Sequence, residues 1–141
     1  IIRPYNGYTL WIDCMRRAPV FFMYNLGTDL GDYKRSSFKY VTQLPARCQP
    51  KSQNSYQDGS DGPYDRGHKV PINHMDSNSK SAADSDHMVN AMPQTKTLNM
   101  WAWLLTEEIV ECASDISPVL VMGGLIWKEE NKRMLQKIVI H

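Results

Sequence analysis

Short runs of β-branched and aromatic residues alternate with Gly-, Pro- and Asp-rich breaks along most of this chain. Tyr8–Leu10, Val20–Leu26 and Ser37–Val41 have that form, which predicts strands. The stretch Gly27-Thr28-Asp29-Leu30-Gly31-Asp32 reads as the turn between the second and third of them. Residues 43–63 hold Pro45, Pro50, Gly59, Gly62 and Pro63 among polar side chains, which predicts a long loop of the kind that often carries function. Ser77–Ser85 is rich in Ser, Ala and Asp and reads as a turn or a short helix. The strongest helical pattern is Thr97–Ala113, which contains no Gly or Pro and follows Pro93. Beyond it Pro118 opens a new element. Val119–Met122 reads as a buried strand ending at Gly123-Gly124, and Ile138–Ile140 as a further strand. Neither a repeat nor a linker divides the chain, so residues 1–141 are expected to form one domain.

Composition narrows the class. With 141 residues, 42% apolar and 22% charged, the chain can bury a core without added staples. Its longest apolar stretches, Ala18–Tyr24 (broken by Pro19) and Val119–Met122, fall far short of the roughly 20 residues that span a bilayer, so no membrane partner is expected. No basic-plus-apolar leader opens the chain, so a signal peptide is expected to be absent or already removed. The net charge of +1 excludes nucleic-acid binding by bulk charge. Its distribution is uneven. Residues 31–70 carry seven basic and four acidic side chains, and residues 71–118 two basic and seven acidic. A basic segment beside an acidic one suits a phosphate-binding arm next to a divalent-cation site, although ordinary surface variation produces the same split.

Cysteine and histidine spacing carries little metal signal. Cys14, Cys48 and Cys112 contain no CxxC pair. Cys14 and Cys48 could form a disulfide, leaving Cys112 as a small core residue on the helix, but the pairing is open. His68, His74, His87 and His141 show neither HxxxH nor HxH spacing.

Two segments concentrate chemistry. In Tyr64-Asp65-Arg66-Gly67-His68, Gly67 permits a tight turn, His68 is a general-base candidate near neutral pH, and Arg66 is a forked cation suited to phosphate. The bland alternative is a surface turn with an ion pair. The second segment is Asn90-Ala91-Met92-Pro93-Gln94, running through Asn99 and Trp103 to Glu107. At 100° per residue, Trp103 lies about 40° and Glu107 about 80° from Asn99, whereas Glu108 lies about 180° away. An amide oxygen and a carboxylate sharing one face can hold a hydrated Mg²⁺, which prefers oxygen ligands and keeps several waters. The bland alternatives are that Asn99 is a helix N-cap and Glu107 part of a solvated face. Trp101 and Trp103 are expected to be packing residues.

Taken together, Asp65-Arg66-Gly67-His68, Asn90-Ala91-Met92-Pro93-Gln94, Asn99 and Trp103-x-x-x-Glu107 resemble the DNA/RNA non-specific endonuclease family in order and spacing. That group has a ββα-metal (His-Me finger) site and includes endonuclease G-like nucleases. Tyr8–Leu26, Ser37–Arg47 and Val119–Leu125 resemble its framework more weakly. The resemblance implies an α+β fold, a central antiparallel sheet with a ββα-metal core at about residues 64–113. The family domain usually continues with further strands and helices after the position of His141, so its C-terminal part is expected to be missing here. Gly123-Gly124-Leu125 also replaces the family's usual Gly-Pro.

Residue by residue, the resemblance makes His68 the base that activates water and Asn99 the single protein ligand of Mg²⁺, with Mn²⁺ as a substitute. Glu107 becomes the carboxylate that orients the metal's waters, Arg66 the arginine at the phosphate, and Arg47 a more distant arginine that stabilises the pentavalent phosphorus. Asp65 and Asn90 become supporting residues. The implied reaction is hydrolysis of DNA and RNA to 5′-phosphate and 3′-hydroxyl ends, since contacts to phosphate carry no base information. Secretion is the implied location, with the mitochondrion as the alternative, and a protein inhibitor and a homodimer are partners the resemblance allows. Competing readings are a non-catalytic nucleic-acid-binding relative, a fragment needing another chain to complete the domain, and a structural or inhibitor-type secreted domain in which the motif is coincidental. A site-specific nuclease would need a base-reading helix or ribbon, which the pattern does not contain.

Overall fold

In the computed structural model, residues 1–28, 31–52, 54, 56 and 64–127 are described in full, and 128 and 133–140 as strand backbone. Among the described residues, seven strands and two α-helices make an α+β fold. They are β1 (Ile2–Pro4), β2 (Tyr8–Asp13), β3 (Ala18–Leu26), β4 (Asp65–His68), α1 (Ser79–Ser85), β5 (Ala91–Gln94), α2 (Leu104–Ser114), β6 (Val119–Lys128) and β7 (Arg133–Ile140). The main sheet is antiparallel throughout, in the order β1-β2-β3-β6-β7, and β4 pairs with β5 as a separate two-stranded antiparallel sheet.

The main sheet follows from alternation. Tyr8, Leu10 and Ile12 of β2 are buried on one face while Thr9, Trp11 and Asp13 are only partly covered, the two-residue period of a half-buried strand. The register slips between Trp11 and Ile12, so that Trp11 faces Phe21 and Ile12 faces Pro19. A proline without an amide donor is tolerated at such an irregularity. β3 and β6 pair with Phe21 opposite Gly124 and Phe22 opposite Gly123. A Cβ on Gly124 would lie 2.8 Å from the Val20 carbonyl oxygen, so the glycine lets the two backbones close up. β6 therefore runs through Gly123-Gly124 rather than stopping there. The other face of the core is supplied by Val70, Met75, Val89, Trp103 and Val110, which pack with Leu10, Phe22 and Tyr24. Each such fully buried side chain is worth about 1.5–3 kcal/mol relative to exposure.

Several sequence expectations are corrected. Ser37–Val41 is not a strand: its only bridge among the described residues joins Lys39 to His87. Lys39 bonds instead to the Asp86–Met88 turn and Val41 to the Gln49 side chain, so β-propensity had no neighbouring strand to satisfy it. The turn expected at 27–32 and the loop at 43–63 are described only in part. Residues 29–30, 53, 55 and 57–63 lie outside the described set, and Ala46–Cys48 form a 3₁₀ turn within the loop. The predicted helix at 97–113 begins with a π-helical stretch, Leu98–Trp103, before the regular α2. Cys14 and Cys48 are disulfide-bonded, whereas Cys112 is exposed and not a core residue. Among the described residues no helix is long and apolar enough to cross a membrane.

Candidate active site

The motif Asp65–His68 forms strand β4 rather than a turn. Gly67 is needed for close approach: a Cβ there would overlap the side-chain amide of Gln94 on the paired strand. This pairing sets His68 opposite Ala91 and Asp65 opposite Gln94. Asn90, fully buried, secures the exit from β4. Its Oδ1 accepts from Val70 N at 3.0 Å, and its Nδ2 donates to the Val70 and Ser85 carbonyls, both at 2.8 Å. Asn90 thus holds the scaffold without lining the cleft.

Asp65, Arg66 and His68 from β4, Asn99 from the π-helical stretch and Glu107 from α2 all line one cleft of about 930 Å³. Arg35, Ser36 and Phe38 line the same cleft. Thr95, not Asn99, caps the helix: its hydroxyl accepts from Leu98 N at 3.2 Å. The N-cap alternative for Asn99 therefore fails. A π-helical turn is rare, costs hydrogen-bond geometry and recurs at functional sites. Here it occupies the segment that delivers Asn99 to the cleft and Trp103 to the core.

Asn99 Nδ2 donates to Asp65 Oδ2 at 3.0 Å. That bond orients the carboxamide and leaves its oxygen as the group able to ligate a cation. Burial first, and then the nearby Glu111, push the Glu107 carboxyl up to about 7, against the opposing pull of Trp103, Lys69 and Arg35. Lys69, buried with its ammonium 4.6 Å from the Trp103 ring centroid, is pushed down by burial to about 7.

His68 is buried and bracketed. Nε2 lies 3.2 Å from Asp86 Oδ1, and Arg35 Nη2 lies 3.0 Å from Nδ1. A guanidinium can only donate, so Nδ1 is the acceptor and the ring proton sits on Nε2, donating to Asp86. Burial holds the imidazole below its ordinary pKa despite the hydrogen bond to Asp86. His68 is therefore neutral near pH 7, with its lone pair on Nδ1. The Phe38 ring stacks against the imidazole at 4.9 Å, and the Arg35 and Arg66 guanidinium carbons lie 5.3 and 4.8 Å from the same ring's centroid. One aromatic side chain thus gathers the imidazole and two forked cations.

Asp86 is fully buried and accepts from Ser36 N at 2.6 Å and Ser36 Oγ at 2.9 Å through its other oxygen. Burial alone would raise this carboxyl, but the hydrogen bonds from His68 and Ser36 hold it below the usual carboxylate range.

The structure thus gathers His68, Arg66, Asp65, Asn99 and Glu107. Arg47 is exposed on the 3₁₀ turn Ala46–Cys48 and is not among the cleft-lining residues. Sequence reading missed Arg35 and Asp86. Arg35 had a faint signal in the basic segment 31–70, and Asp86 had none. Of Trp101 and Trp103, the second is packed in the core and the first is 74% exposed, so only Trp103 is a packing residue of the pair. The other histidines serve elsewhere. His74 Nδ1 is 2.6 Å from Tyr24 Oη, His87 is 3.8 Å from Asp84, and His141 lies outside the described residues.

Among the described residues no group of three or more His, Cys, Asp or Glu side chains is placed to hold a metal. The donors that remain are oxygens, an oriented carboxamide and a nearby carboxylate whose own charge is disfavoured. That set fits a hard, largely hydrated divalent cation rather than zinc.

Nothing among curated protein sequences matches the chain. A solved structure titled "Crystal structure of the EndoG/EndoGI complex: Mechanism of EndoG inhibition" shares the fold, with a TM-score of 0.66 at 23% identity. The match covers 96% of this chain and 58% of that one, so this chain spans a little over half the length of that relative. The family model described as DNA/RNA non-specific endonuclease matches residues 2–140, and the chain belongs to that family.

Proposed function

We propose that this chain is a Mg²⁺-dependent, sugar-non-specific endonuclease that hydrolyses phosphodiester bonds of DNA and RNA to 5′-phosphate and 3′-hydroxyl ends. The observation that carries the reading is a neutral imidazole with its lone pair directed into a cleft that also contains two arginines, an oriented carboxamide and a carboxylate.

His68 Nδ1 takes the proton of the attacking water, and the resulting imidazolium is stabilised by Asp86 at Nε2. Arg35 lies on the Nδ1 side in the free protein and swings to the phosphate when a strand enters, freeing the base. Arg66 and Arg35 are forked donors matched to two phosphate oxygens and offset charge accumulating on phosphorus. Arg47 would contribute to this only after movement of its turn. Asn99 would hold the cation through its Oδ1, Glu107 would orient the cation's waters, and Asp65 keeps Asn99 aimed. When bound, Mg²⁺ supplies charge neutralisation at the phosphate and the leaving 3′ oxygen, with Mn²⁺ as its substitute.

The Cys14–Cys48 disulfide supports an oxidising compartment and hence secretion, with the mitochondrion as alternative. An inhibitor protein as partner is supported by the EndoG/EndoGI relative. A second reading has the chain completed by another polypeptide, as a homodimer or a separate partner. It draws on the exposed apolar side chains of Met100, Trp101, Leu104, Leu105 and Ile109.

Supercoiled-plasmid nicking by wild type, His68→Ala and Asn99→Ala, with Mg²⁺ and with chelator, tests the main reading. Loss of nicking in both folded variants and in chelator is expected. Unimpaired cutting by His68→Ala overturns the mechanism. Strand binding without cutting by wild type, reversed by an added partner chain, favours the second reading.

A further inference from the structure

A second cavity, about 620 Å³, lies beyond the catalytic cleft and is lined by Arg3, Tyr5, Lys39, Tyr40, Asp84 and His87 among others. A single ridge separates the two. Along the segment 35–40, Arg35, Ser36 and Phe38 line the catalytic cleft, whereas Lys39 and Tyr40 line the second cavity. Across from it, Asp86 holds His68 while the next residue, His87, lines the second cavity. Ser37 also lines the catalytic cleft, so the segment passes from one cavity to the other between Phe38 and Lys39. The ridge is pinned to the Asp86–Met88 turn at both flanks. Ser36 N donates to Asp86 Oδ2 at 2.6 Å, Lys39 N to the Asp86 carbonyl at 3.1 Å, and Met88 N to the Lys39 carbonyl at 2.9 Å.

The cavity has the chemistry of a strand-backbone site. Among the described residues no carboxylate forms an ion pair with Arg3 or Lys39. The Arg3 guanidinium is held 5.2 Å over the Tyr5 ring, and Lys39 is exposed. The one lining carboxylate, Asp84, is occupied: its Oδ2 accepts from Asn6 Nδ2 at 2.7 Å and from Asn6 N at 3.2 Å. Tyr40 is 38% exposed, which leaves a ring face for a base to stack on.

We propose that this cavity is a flanking subsite for the substrate strand, in which Arg3 and Lys39 take one or two phosphates distant from the scissile one and Tyr40 receives a base. From Arg35 to Lys39 the ridge spans at most about 14 Å of extended chain. At about 3.4 Å of rise per nucleotide, that sets the subsite about four nucleotides away along a stacked strand and fewer along an extended one. The proposal rests on the nuclease reading above, and it implies that strands of several nucleotides are held better than dinucleotides.

The test compares wild type with the Arg3→Ala/Lys39→Ala double variant. Binding of a fluorescent 20-nucleotide single strand is measured by anisotropy in the His68→Ala background with chelator, so that no turnover is needed. Two lost phosphate contacts on a single strand reduce the salt slope by about 1.4 and weaken binding about 25-fold at 0.1 M monovalent salt. The kcat on a dinucleotide phosphodiester stays at the wild-type value, and Arg3→Lys/Lys39→Arg restores strand affinity. Unchanged affinity and salt slope, with wild type cutting normally, overturn the subsite alone. A parallel fall of dinucleotide kcat in the double variant also overturns it, because the substitutions would then be acting through the catalytic cleft. If wild type neither cuts nor binds any strand, the nuclease reading falls first.

Discussion

Replacing Asp86 with asparagine changes one buried oxygen into an NH₂ group with almost no change of shape, and its consequence can be worked from three hydrogen bonds. Asp86 Oδ1 accepts from His68 Nε2, and Oδ2 accepts from Ser36 N and Ser36 Oγ. The amide has a single accepting oxygen. If that oxygen faces Ser36, whose backbone N–H cannot rotate away, the NH₂ group donates to His68 Nε2. The ring proton then moves to Nδ1, and the base lone pair is lost from the cleft. If the oxygen faces His68 instead, the Ser36 N–H meets an NH₂ group in a buried site, at a cost of about 1–3 kcal/mol. The first turns an Nδ1–H toward Arg35, but that guanidinium is about half exposed and can turn to water, so this arrangement is the cheaper and the variant folds with the wrong tautomer. General-base catalysis contributes about 10²–10⁴ in rate, and a wrong-tautomer substitution in a Ser-His-Asp triad costs about 10⁴. Asp86→Asn is therefore expected to lower kcat for plasmid or oligonucleotide cleavage by 10²–10⁴, with KM little changed and the fold retained by circular dichroism. A folded Asp86→Asn variant within about threefold of wild-type kcat would refute the assignment of the Nε2–H tautomer, and with it the role given to Asp86.

Asp65→Ala removes the acceptor that aims Asn99, so Mg²⁺ activation should need 10–100-fold more metal, as for other outer partners of metal ligands, while a metal titration of activity reaches a similar plateau. Glu107 is pushed up to about 7 from 4.5, so its protonated form is favoured in the folded protein. Without divalent metal, wild type should lose stability relative to Glu107→Gln as pH rises from about 4.5 through 7, and Mg²⁺ should narrow that gap; melting temperatures at pH 5 and 8 read it directly. Mg²⁺ affinity should rise over the same window, as the proton competing for Glu107 is lost. Cys14→Ser/Cys48→Ser opens a loop closed across 34 residues and should cost about 3.5–4 kcal/mol in urea unfolding, with the cleft chemistry intact once the protein is folded.

The site was partly readable because its chemistry lies in two short segments. Residue type and spacing make His68, Asn99 and Glu107 candidates, the structure sets all three on one cleft, and the helix that carries two of them is continuous enough for periodicity to reach across it. The assumption of regular 100° steps did not hold through Leu98–Trp103, which is π-helical, yet Asn99 and Glu107 still face one cleft. Arg35 and Asp86 were not readable. Arg35 is 33 residues from His68 in sequence and Asp86 is 18 away, and no periodicity links side chains across such intervals. The strands β4 and β5 were missed for a related reason. Each is four residues long and contains Gly67 or Pro93, poor strand formers that pair because Gly67 lets the Gln94 side chain pack against the backbone.

Local composition was enough to determine the core of β2 and β3, the start of β6, the end of β7, and the helix that ends the chemical segment, but not β1 or the full length of β6 and β7. These depend on neighbours within a few positions, where backbone geometry leaves few choices. Which imidazole nitrogen carries the lone pair, which arginine stands beside it, and which carboxylate orients it were decided only by tertiary packing. Those properties belong to hydrogen bonds between segments far apart in the chain, formed because folding withdraws water from His68 and Asp86 and makes each the other's partner.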